Sequence, residues 1–319
     1  MLEVRQDACM EHLDRQTRIR ALAALATAVV MWASAFIAIR IAVRSYSPVD
    51  LSAMRIGIAA VLLGGVAIVR GLKMPSAKDL GVLVFLGLTG QALYQVLLNT
   101  GELSVDAGTA SLLIAIAPVL ASLMAVLFLG ERLTRAGWVG TGIAFAGAAT
   151  IALGGHAAAP QIGRGTLLVL GATGVWALFL VVQKTVASRN GSLELTAIPM
   201  GVGALALAPF ARTLPASIAA APLSATLAVL FLGCFSSVIG FLAWAYAIQR
   251  LRVVMALSAL YTVPVVALFI GWAVLREVPA PIALLGGAIA LGGVVLTGLR
   301  GHPAGGDRVP MERAEDVPA

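Results

Sequence analysis

The sequence predicts an all-α polytopic membrane protein with ten transmembrane helices arranged as two inverted five-helix repeats. Three observations predict it: the apolar composition, the spacing of the apolar runs and an internal repeat. Of the 319 residues, 60% belong to the apolar set and 12% are charged, and the mean hydropathy is +0.98. A soluble domain of this length cannot bury so much apolar surface, because the buried fraction rises only slowly with chain length. Most of the chain is therefore expected to face lipid.

Ten apolar runs are close to the length of about 20 residues that a helix needs to cross a bilayer. The first follows a charged N-terminal tail, residues 1–20, and is itself long enough to span, unlike the short core of a cleaved signal peptide. Five runs form a first repeat over 21–155 and five a second over 165–299, and the polar tail 300–319 is expected to be disordered. The predicted spans cover residues 21–43, 50–70, 79–98, 104–129, 136–155, 165–187, 194–212, 223–248, 252–275 and 280–299.

The positions of Lys and Arg predict the orientation. With the N-terminus in the cytoplasm, 16 of the 22 Lys and Arg residues fall in cytoplasmic segments, five fall outside, and Arg55 lies within a span. This excess follows the positive-inside rule. We therefore expect a multi-pass protein of the inner (plasma) membrane with both termini in the cytoplasm. Because the basic residues lie between apolar runs and form no continuous stripe, no nucleic-acid partner is expected.

An internal repeat relates the two halves. WASAFIAIR at 32–40 returns as WALFLVVQK at 176–184, an offset of 144 residues, and Pro118 and Glu131 return as Pro264 and Glu277 at an offset of 146. Because each half has an odd number of spans, the second half must enter the bilayer from the opposite side. Inverted repeats of this kind support alternating access to a central site in secondary transporters.

Three motifs resemble the EamA family of the drug/metabolite transporter (DMT) superfamily. They are Trp-x-Ser-x-Phe at 32–36, SPVDLSAMR at 47–55, and a Pro…Gly-Glu-Arg-Leu…Gly pattern at 118–147. The resemblance covers nearly the whole chain and implies ten helices and inner-membrane transport of small metabolites, often as efflux. The second half departs from the pattern, since Glu277 follows an arginine where Glu131 follows a glycine. The two glutamates are therefore not assigned the same role.

The repeated tryptophans are candidate residues of the substrate pathway. Trp32 and Trp176 sit several residues inside their predicted spans, deeper than the aromatic belt of a membrane protein. At equivalent places in inverted halves they are expected to form two walls of one cavity, with Phe36 one helical turn along from Trp32. Helix packing is the alternative interpretation for all three residues.

A polar stripe marks the third span. Gln91, Gln95 and Asn99 follow one another at i, i+4 and i+8 and therefore share one helix face, with Tyr94 adjacent. Such residues also link membrane helices by hydrogen bonds, each contributing about 1 kcal/mol, so both a pathway and a packing role are open. A neutral polar stripe beside aromatic rings suits an amphipathic solute better than a bare ion.

Arg55 is the cation placed furthest inside a predicted span. A charge in hydrocarbon costs at least a few kcal/mol unless it faces a cavity or a partner, whereas a long side chain near a helix end can extend to the headgroups. Both interpretations are open. Arg40 and Lys184, which end the repeated Trp motifs, are expected to be interfacial anchors. Weaker pathway candidates are Trp244 and Tyr261 in the eighth and ninth spans.

Paired prolines and glutamates are expected to shape the helix ends. Pro118 and Pro264 each free a backbone carbonyl and should kink their helices around a central vestibule, although plain kinked packing explains them almost as well. Glu131 and Glu277 are expected to be charges at helix boundaries. Every Asp and Glu falls in a tail, a loop or a helix end, so no buried carboxylate for proton coupling is predicted, and a facilitator or an exchanger is open.

The sequence lacks the motifs that are typical of several function classes. The two cysteines form no CxxC, the three histidines lie in tails or a loop, and HExxH, paired intramembrane Asp and Walker motifs are missing. We therefore predict no metal, no cofactor and no enzymatic activity. The first hypothesis is a secondary transporter that moves a small amphipathic, for example amino-acid-like, metabolite across the lipid bilayer, and the others are an intramembrane enzyme and a non-transporting scaffold. A homo-oligomer is possible.

Overall fold

A computed structural model describes residues 15–129, 133–154, 163–251 and 259–300, together with Ala256. Within these ranges, all regular secondary structure is helical. In the first half, the helices are α1 (Arg15–Ala42), α2 (Pro48–Arg70), α3 (Ala77–Leu86), α4 (Tyr94–Gly101), α5 (Ala107–Ile114), α6 (Ala117–Leu129) and α7 (Arg135–Gly154). In the second half, they are α8 (Arg164–Ala187), α9 (Glu194–Leu207), α10 (Leu214–Ala220), α11 (Leu223–Phe231), α12 (Phe241–Ile248), α13 (Val263–Leu275) and α14 (Pro281–Arg300).

Six helical stretches of the described chain are long and apolar enough to cross a membrane, and a seventh arises if a bent pair is one span. The bent pair, Glu194–Phe210 and Leu214–Ala220, turns by 88° at its break. Two further apolar helices, Leu260–Leu275 and Pro281–Thr297, are shorter. The protein is thus an all-helical, multi-pass membrane protein. The ten-span count predicted from the sequence is not established by these helices, although each predicted segment contains helix.

Short polar side chains start the first-half helices. The Ser47 hydroxyl accepts a hydrogen bond from the Asp50 amide at 3.1 Å, and Pro48 occupies the first turn, where no amide donor is needed. The Asp106 carboxylate likewise accepts from the Thr109 amide at 2.8 Å and begins α5. These caps satisfy amide groups that would otherwise lack partners at the helix ends.

A π-helical segment interrupts one span in each half. The first, π1, covers Gly87–Leu93 and joins α3 to α4, and the second, π2, covers Leu232–Gly240 and joins α11 to α12. They begin 145 residues apart, between the offsets of 144 and 146 found in the sequence repeat. π-Helical turns are rare and occur frequently at functional sites, because the extra residue changes the direction of the following side chains.

The two halves interleave through these interrupted spans. Helix α1 of the first half packs on π2, α12 and α13, and helix α8 of the second half packs on α4, α6 and π1. The two arrangements are equivalent under the repeat. On one side of the bundle, α7 and α14 approach closely, since a Cβ at Gly140 would lie 2.7 Å from the Gly293 carbonyl. The small size of these glycines permits the close contact of the two helices.

Candidate functional site

A cavity lies where the two halves meet. Its first-half wall includes Trp32, Phe36, Ile39, Arg55, Tyr94, Gln95, Leu98, Ser111, Ile114 and Pro118, and its second-half wall includes Trp176, Phe241, Leu260 and Val263. Apolar and aromatic side chains predominate, and among the described residues that line it Arg55 is the one charged residue. A mainly apolar concave site with a few convergent polar groups is the usual form of a small-molecule site.

Five aromatic rings pack against one another beside this cavity, and we call them the aromatic cluster: Trp32, Trp176, Phe179, Phe241 and Trp244. The Trp32 ring lies 5.6 Å from that of Trp176, 5.2 Å from Phe241 and 5.4 Å from Trp244. Trp176 also stacks on Phe179 at 4.9 Å. The equivalent tryptophans of the two halves are therefore in direct contact beside the cavity.

The other predicted aromatic candidates take different positions. Phe36 is 5% exposed and lines the cavity one turn from Trp32. Trp244 is not among the lining residues; it packs behind Trp32, and its indole donates to the Gln183 side-chain oxygen at 3.3 Å. Tyr261 is also not a lining residue and packs instead against Val119 and its neighbours.

Arg55 is buried, with 4% of its surface exposed, and faces the cavity. Its guanidinium donates from Nε to the Ser237 hydroxyl at 2.9 Å, from Nη1 to Gln95 Oε1 at 2.9 Å and from Nη2 to the Ser236 hydroxyl at 3.1 Å. Both serines lie on π2 and Gln95 lies just after π1, so the two interrupted spans together hold the arginine. All three acceptors are neutral.

The residues of the polar stripe in the third span make different contacts. Gln95 binds Arg55, and Tyr94 lines the cavity with its ring 5.1 Å from that of Trp176. Asn99 is fully buried and donates to the Ser52 hydroxyl at 2.8 Å, which links two helices. Gln91 is 1% exposed and does not line the cavity.

An ion-pair cluster of Arg40, Arg44 and Glu277 lies about two helical turns along α1 from Trp32, next to the lining residue Ile39. Arg40 Nε lies 3.2 Å from Glu277 Oε1, and Arg44 Nη2 lies 3.7 Å from the same oxygen. Arg40 Nη1 also donates to the Glu102 backbone carbonyl at 2.6 Å. Glu277, expected at a helix boundary, lies just beyond α13 and joins the two halves there. Its counterpart in the repeat, Glu131, lies outside the described residues.

The paired prolines lie at helix interruptions beside the cavity. The helix of the fourth span is interrupted at Ala115 and Ile116, and Pro118, which lines the cavity, follows in the first turn of α6. Pro264 occupies the first turn of α13 and is buried, next to the lining residue Val263.

Two features of the site were not predicted. The π segments had no recognised signal, although Gly87, Gly90, Gly233 and Gly240 lie in these stretches. Glu102 was placed at a helix end outside the bilayer core, yet it is fully buried. Across the described ranges, no cluster of three or more His, Cys, Asp or Glu side chains could hold a metal ion.

Comparison with known proteins shows the family. The model of the EamA-like transporter family matches the chain twice, at residues 19–153 and 163–299. The chain belongs to the EamA-like transporter family. The two matches coincide with the two repeats of the sequence, and together they cover the cavity and both clusters.

Relatives of this EamA-family chain are named as transporters. A probable terminal-alkyne amino-acid exporter of Streptantibioticus cattleyicolor is 43% identical over 88% of this chain and 94% of its own length. YdfC, an uncharacterised transporter of Bacillus subtilis, is 32% identical over 85% of this chain and 88% of its own length. A solved crystal structure of a protein aligns with a TM-score of 0.60 at 21% identity, covering 87% of this chain and 96% of that chain, and supports the fold alone.

Proposed function

We propose that this membrane transporter is a secondary exporter of small carboxylates with an apolar body, above all amino acids with apolar side chains. In this proposal, ten helices in two inverted repeats give alternating access to the cavity of the plasma-membrane protein, with both termini in the cytoplasm. One observation supports the solute class above all: the described residues that line the cavity are mainly apolar and aromatic, and Arg55 is the single charged residue among them.

The hydrogen-bonding capacity of Arg55 favours a carboxylate. A guanidinium has five N–H donors, and three bonds to neutral side chains hold this one in place. Donors remain for a ligand, and the positive charge is not matched by a carboxylate among these partners. A planar carboxylate suits arginine in both geometry and charge.

The walls favour an apolar body on the same solute. Trp176, Phe241 and Tyr94 present ring surface to the cavity, and burying apolar surface yields about 25 cal/mol per Å². The name of the relative from Streptantibioticus cattleyicolor, an exporter of a terminal-alkyne amino acid, describes such a solute. Export rather than import is part of the proposal on the basis of that relative.

Alternating access is supported by the two clusters, which in this proposal close the cavity at opposite ends. The aromatic cluster and the ion-pair cluster each join residues of both halves, as in Trp32–Trp176 and Arg40–Glu277. Separating the halves at one end while they stay in contact at the other would open the cavity to one side at a time. The excess of Lys and Arg on cytoplasmic segments assigns the ion-pair cluster to the outer side.

Counterflow in proteoliposomes tests the proposal. Vesicles preloaded with unlabelled phenylalanine should accumulate labelled phenylalanine, leucine and propargylglycine, and should not accumulate phenethylamine, which lacks the carboxylate. Loss of a charged hydrogen-bonding partner costs about 2–3 kcal/mol, so Arg55→Gln should weaken the apparent affinity about 30- to 100-fold, whereas Arg55→Lys should keep part of it. Arg164→Gln, at an exposed arginine outside the cavity lining, is the matched control.

Two results would count against the proposal in different ways. Saturable phenethylamine flux, or unchanged affinity in Arg55→Gln, would contradict the carboxylate assignment while leaving transport intact. If none of the amino acids shows saturable counterflow with protein that is monodisperse and correctly inserted, this solute class itself is wrong.

A further inference from the structure

Glu102 is a buried carboxylate that the transport site described above does not use. It follows Gly101, the last residue of α4, and none of its surface is exposed. Neither of its side-chain oxygens has a hydrogen-bond partner among the residues that the structure describes. It lies one helical turn beyond Leu98 and two turns beyond Gln95, both of which line the cavity. Glu102 is therefore between the cavity wall and the ion-pair cluster.

The charged groups around Glu102 come from four other elements. Arg40 faces it from α1, Arg55 from α2, Asp106 from the start of α5 and Glu277 from the end of α13, and Tyr94 is the titratable neighbour on its own helix. Neither of these two arginines donates to the Glu102 carboxylate. Arg40 bonds Glu277 and the backbone carbonyl of Glu102, and Arg55 bonds Gln95 and the π2 serines.

A comparison with Asp50 shows how unusual this environment is. Asp50 is also fully buried, but its Oδ2 accepts from the hydroxyls of Ser47, Thr213 and Ser217 at 2.7–3.0 Å. The Glu102 carboxylate accepts no hydrogen bond from the described residues. An ionised carboxylate that is removed from water without donors is strongly disfavoured and takes up a proton instead. In the conformation described here, the neutral acid is the form of Glu102 that suits its surroundings.

We propose that Glu102 is a proton-binding site whose carboxylate takes up one proton from the outer side when the ion-pair cluster closes over it and releases that proton when the cluster opens. The only bond formed or broken is the O–H bond of the carboxyl group, and the proton is exchanged with water. The inference rests on the alternating access of the proposed function. The proton site adds to the proposed function a proton-linked step that the sequence did not predict.

Two further arguments support this assignment. Glu102 lies just outside the third span, and burial raises its pKa well above the usual range, against the opposing effect of the positive charges of Arg40 and Arg55. Opening the outer end would admit water to the carboxyl group and return its pKa toward the ordinary value. Because the two conformations then bind the proton with different affinities, proton binding and closure must affect each other reciprocally.

Cysteine labelling from outside the cell tests the proton site without a transported solute. Ile39 is 1% exposed, lines the cavity and precedes Arg40, so Ile39→Cys should react with a membrane-impermeant maleimide only when the outer end opens. The background is Cys9→Ser/Cys234→Ser. Rates are divided by those of Leu103→Cys, whose site is 49% exposed, to correct for thiol ionisation and to check the sidedness.

The ratio of labelling rates should rise as the pH is raised, by up to about tenfold per pH unit where one proton is released. In Glu102→Gln, which resembles the neutral acid, the ratio should stay low at every pH, and Glu102→Asp should restore the slope. Asp79→Asn, which alters a 4%-exposed carboxylate at another helix end, should keep the pH dependence. A flat profile with Glu102 intact, or an unchanged slope in Glu102→Gln, overturns the proposal.

Flux measurements separate this inference from the proposed function. In the phenylalanine assay at low outer pH, where the Glu102 carboxyl group is protonated, Glu102→Gln should retain counterflow within about twofold of the unaltered protein, but its flux should not change as the outer pH is raised. An equal dependence on outer pH in Glu102→Gln and the unaltered protein would contradict the proton site. If no variant transports phenylalanine, the proposed solute is wrong, and the labelling profile still decides whether Glu102 binds the proton.

Discussion

At one end of the cavity, aromatic rings pack with centroids 4.9–6.3 Å apart, whereas at the other end Arg40 and Glu277 meet at 3.2 Å with 23% of each side chain exposed. The aromatic closure consists of large surfaces removed from solvent. The ionic closure consists of a few charges that water reaches in part. Both closures join the two halves of the chain, but they depend on different interactions.

The difference predicts how each end responds to its surroundings. Ring contacts are worth about 0.5–1.5 kcal/mol per pair beyond the apolar surface that they bury, and salt or pH in the neutral range hardly affects them. A partly exposed ion pair is weaker and is screened by salt. The ion-pair end is therefore the end whose opening the aqueous phase can control, and Glu102 lies directly beneath it.

Removing the central ring of the aromatic cluster should have the largest effect. Trp176 is 6% exposed and contacts Trp32, Tyr94, Phe179 and Phe241. Buried Trp→Ala changes cost about 3–5 kcal/mol, so Trp176→Ala should lower the free energy of unfolding by about that amount in a denaturant titration in detergent. The loss should be the same at low and high salt.

A tryptophan on the outside of the bundle provides the control for this variant. Trp138 is 52% exposed, so Trp138→Ala should cost far less than Trp176→Ala. Equal losses in the two variants would show that the aromatic cluster contributes nothing specific, and a strong salt dependence in Trp176→Ala would remove the contrast between the two ends.

Breaking the ion pair should have an intermediate effect that depends on salt. Glu277→Gln leaves the partly buried Arg40 without its carboxylate, and we expect a loss of about 1–2 kcal/mol at low salt, between the values for exposed and buried pairs. The same variant should speed outside labelling of Ile39→Cys. A double-mutant cycle with Arg40→Gln measures the coupling, which should shrink as salt is added; additive losses would show that the pair does not act as a unit.

The helical class and the repeat could be predicted from sequence because they depend on local composition and on spacing along the chain. The same is true of the paired tryptophans, whose offset of 144 residues placed them at equivalent points before any contact was known. The polar stripe was visible as a helical period, but the period alone could not separate Gln95, which binds Arg55, from Asn99, which binds Ser52.

The remaining features depend on contacts between distant segments. Arg40 and Glu277 are 237 residues apart, and no local pattern indicates that they pair. The π segments depend on packing as well, since Gly90 lies directly against the Phe179 ring of the other half. Glu102 occupies a helix end, as predicted, but whether a helix end is wet or buried is decided by the neighbouring helices and not by its own sequence.

The smallest effect is expected at a second ion pair between the halves, whose arginine is more exposed than Arg40. Arg189 Nη2 lies 2.7 Å from Asp79 Oδ1, with 55% of the arginine side chain exposed. Asn190 also donates to Asp79, at 3.1 Å, and would remain in Arg189→Gln. Because Asp79 raises the pKa of Arg189, the arginine stays charged at every pH near neutrality, and its contribution is lost only above the usual arginine pKa.

We therefore expect Arg189→Gln to change the equilibrium constant for folding by no more than about twofold, which is a smaller change than Glu277→Gln produces. This change should not depend on pH between about 6 and 9. The change should shrink at about 0.5 M salt, because added salt screens an exposed ion pair. Denaturant titrations of both variants in parallel provide the measurement. A larger loss in Arg189→Gln than in Glu277→Gln would mean that exposure does not rank these cross-half ion pairs, and the contrast drawn between a wet ionic end and a dry aromatic end would lose its physical basis.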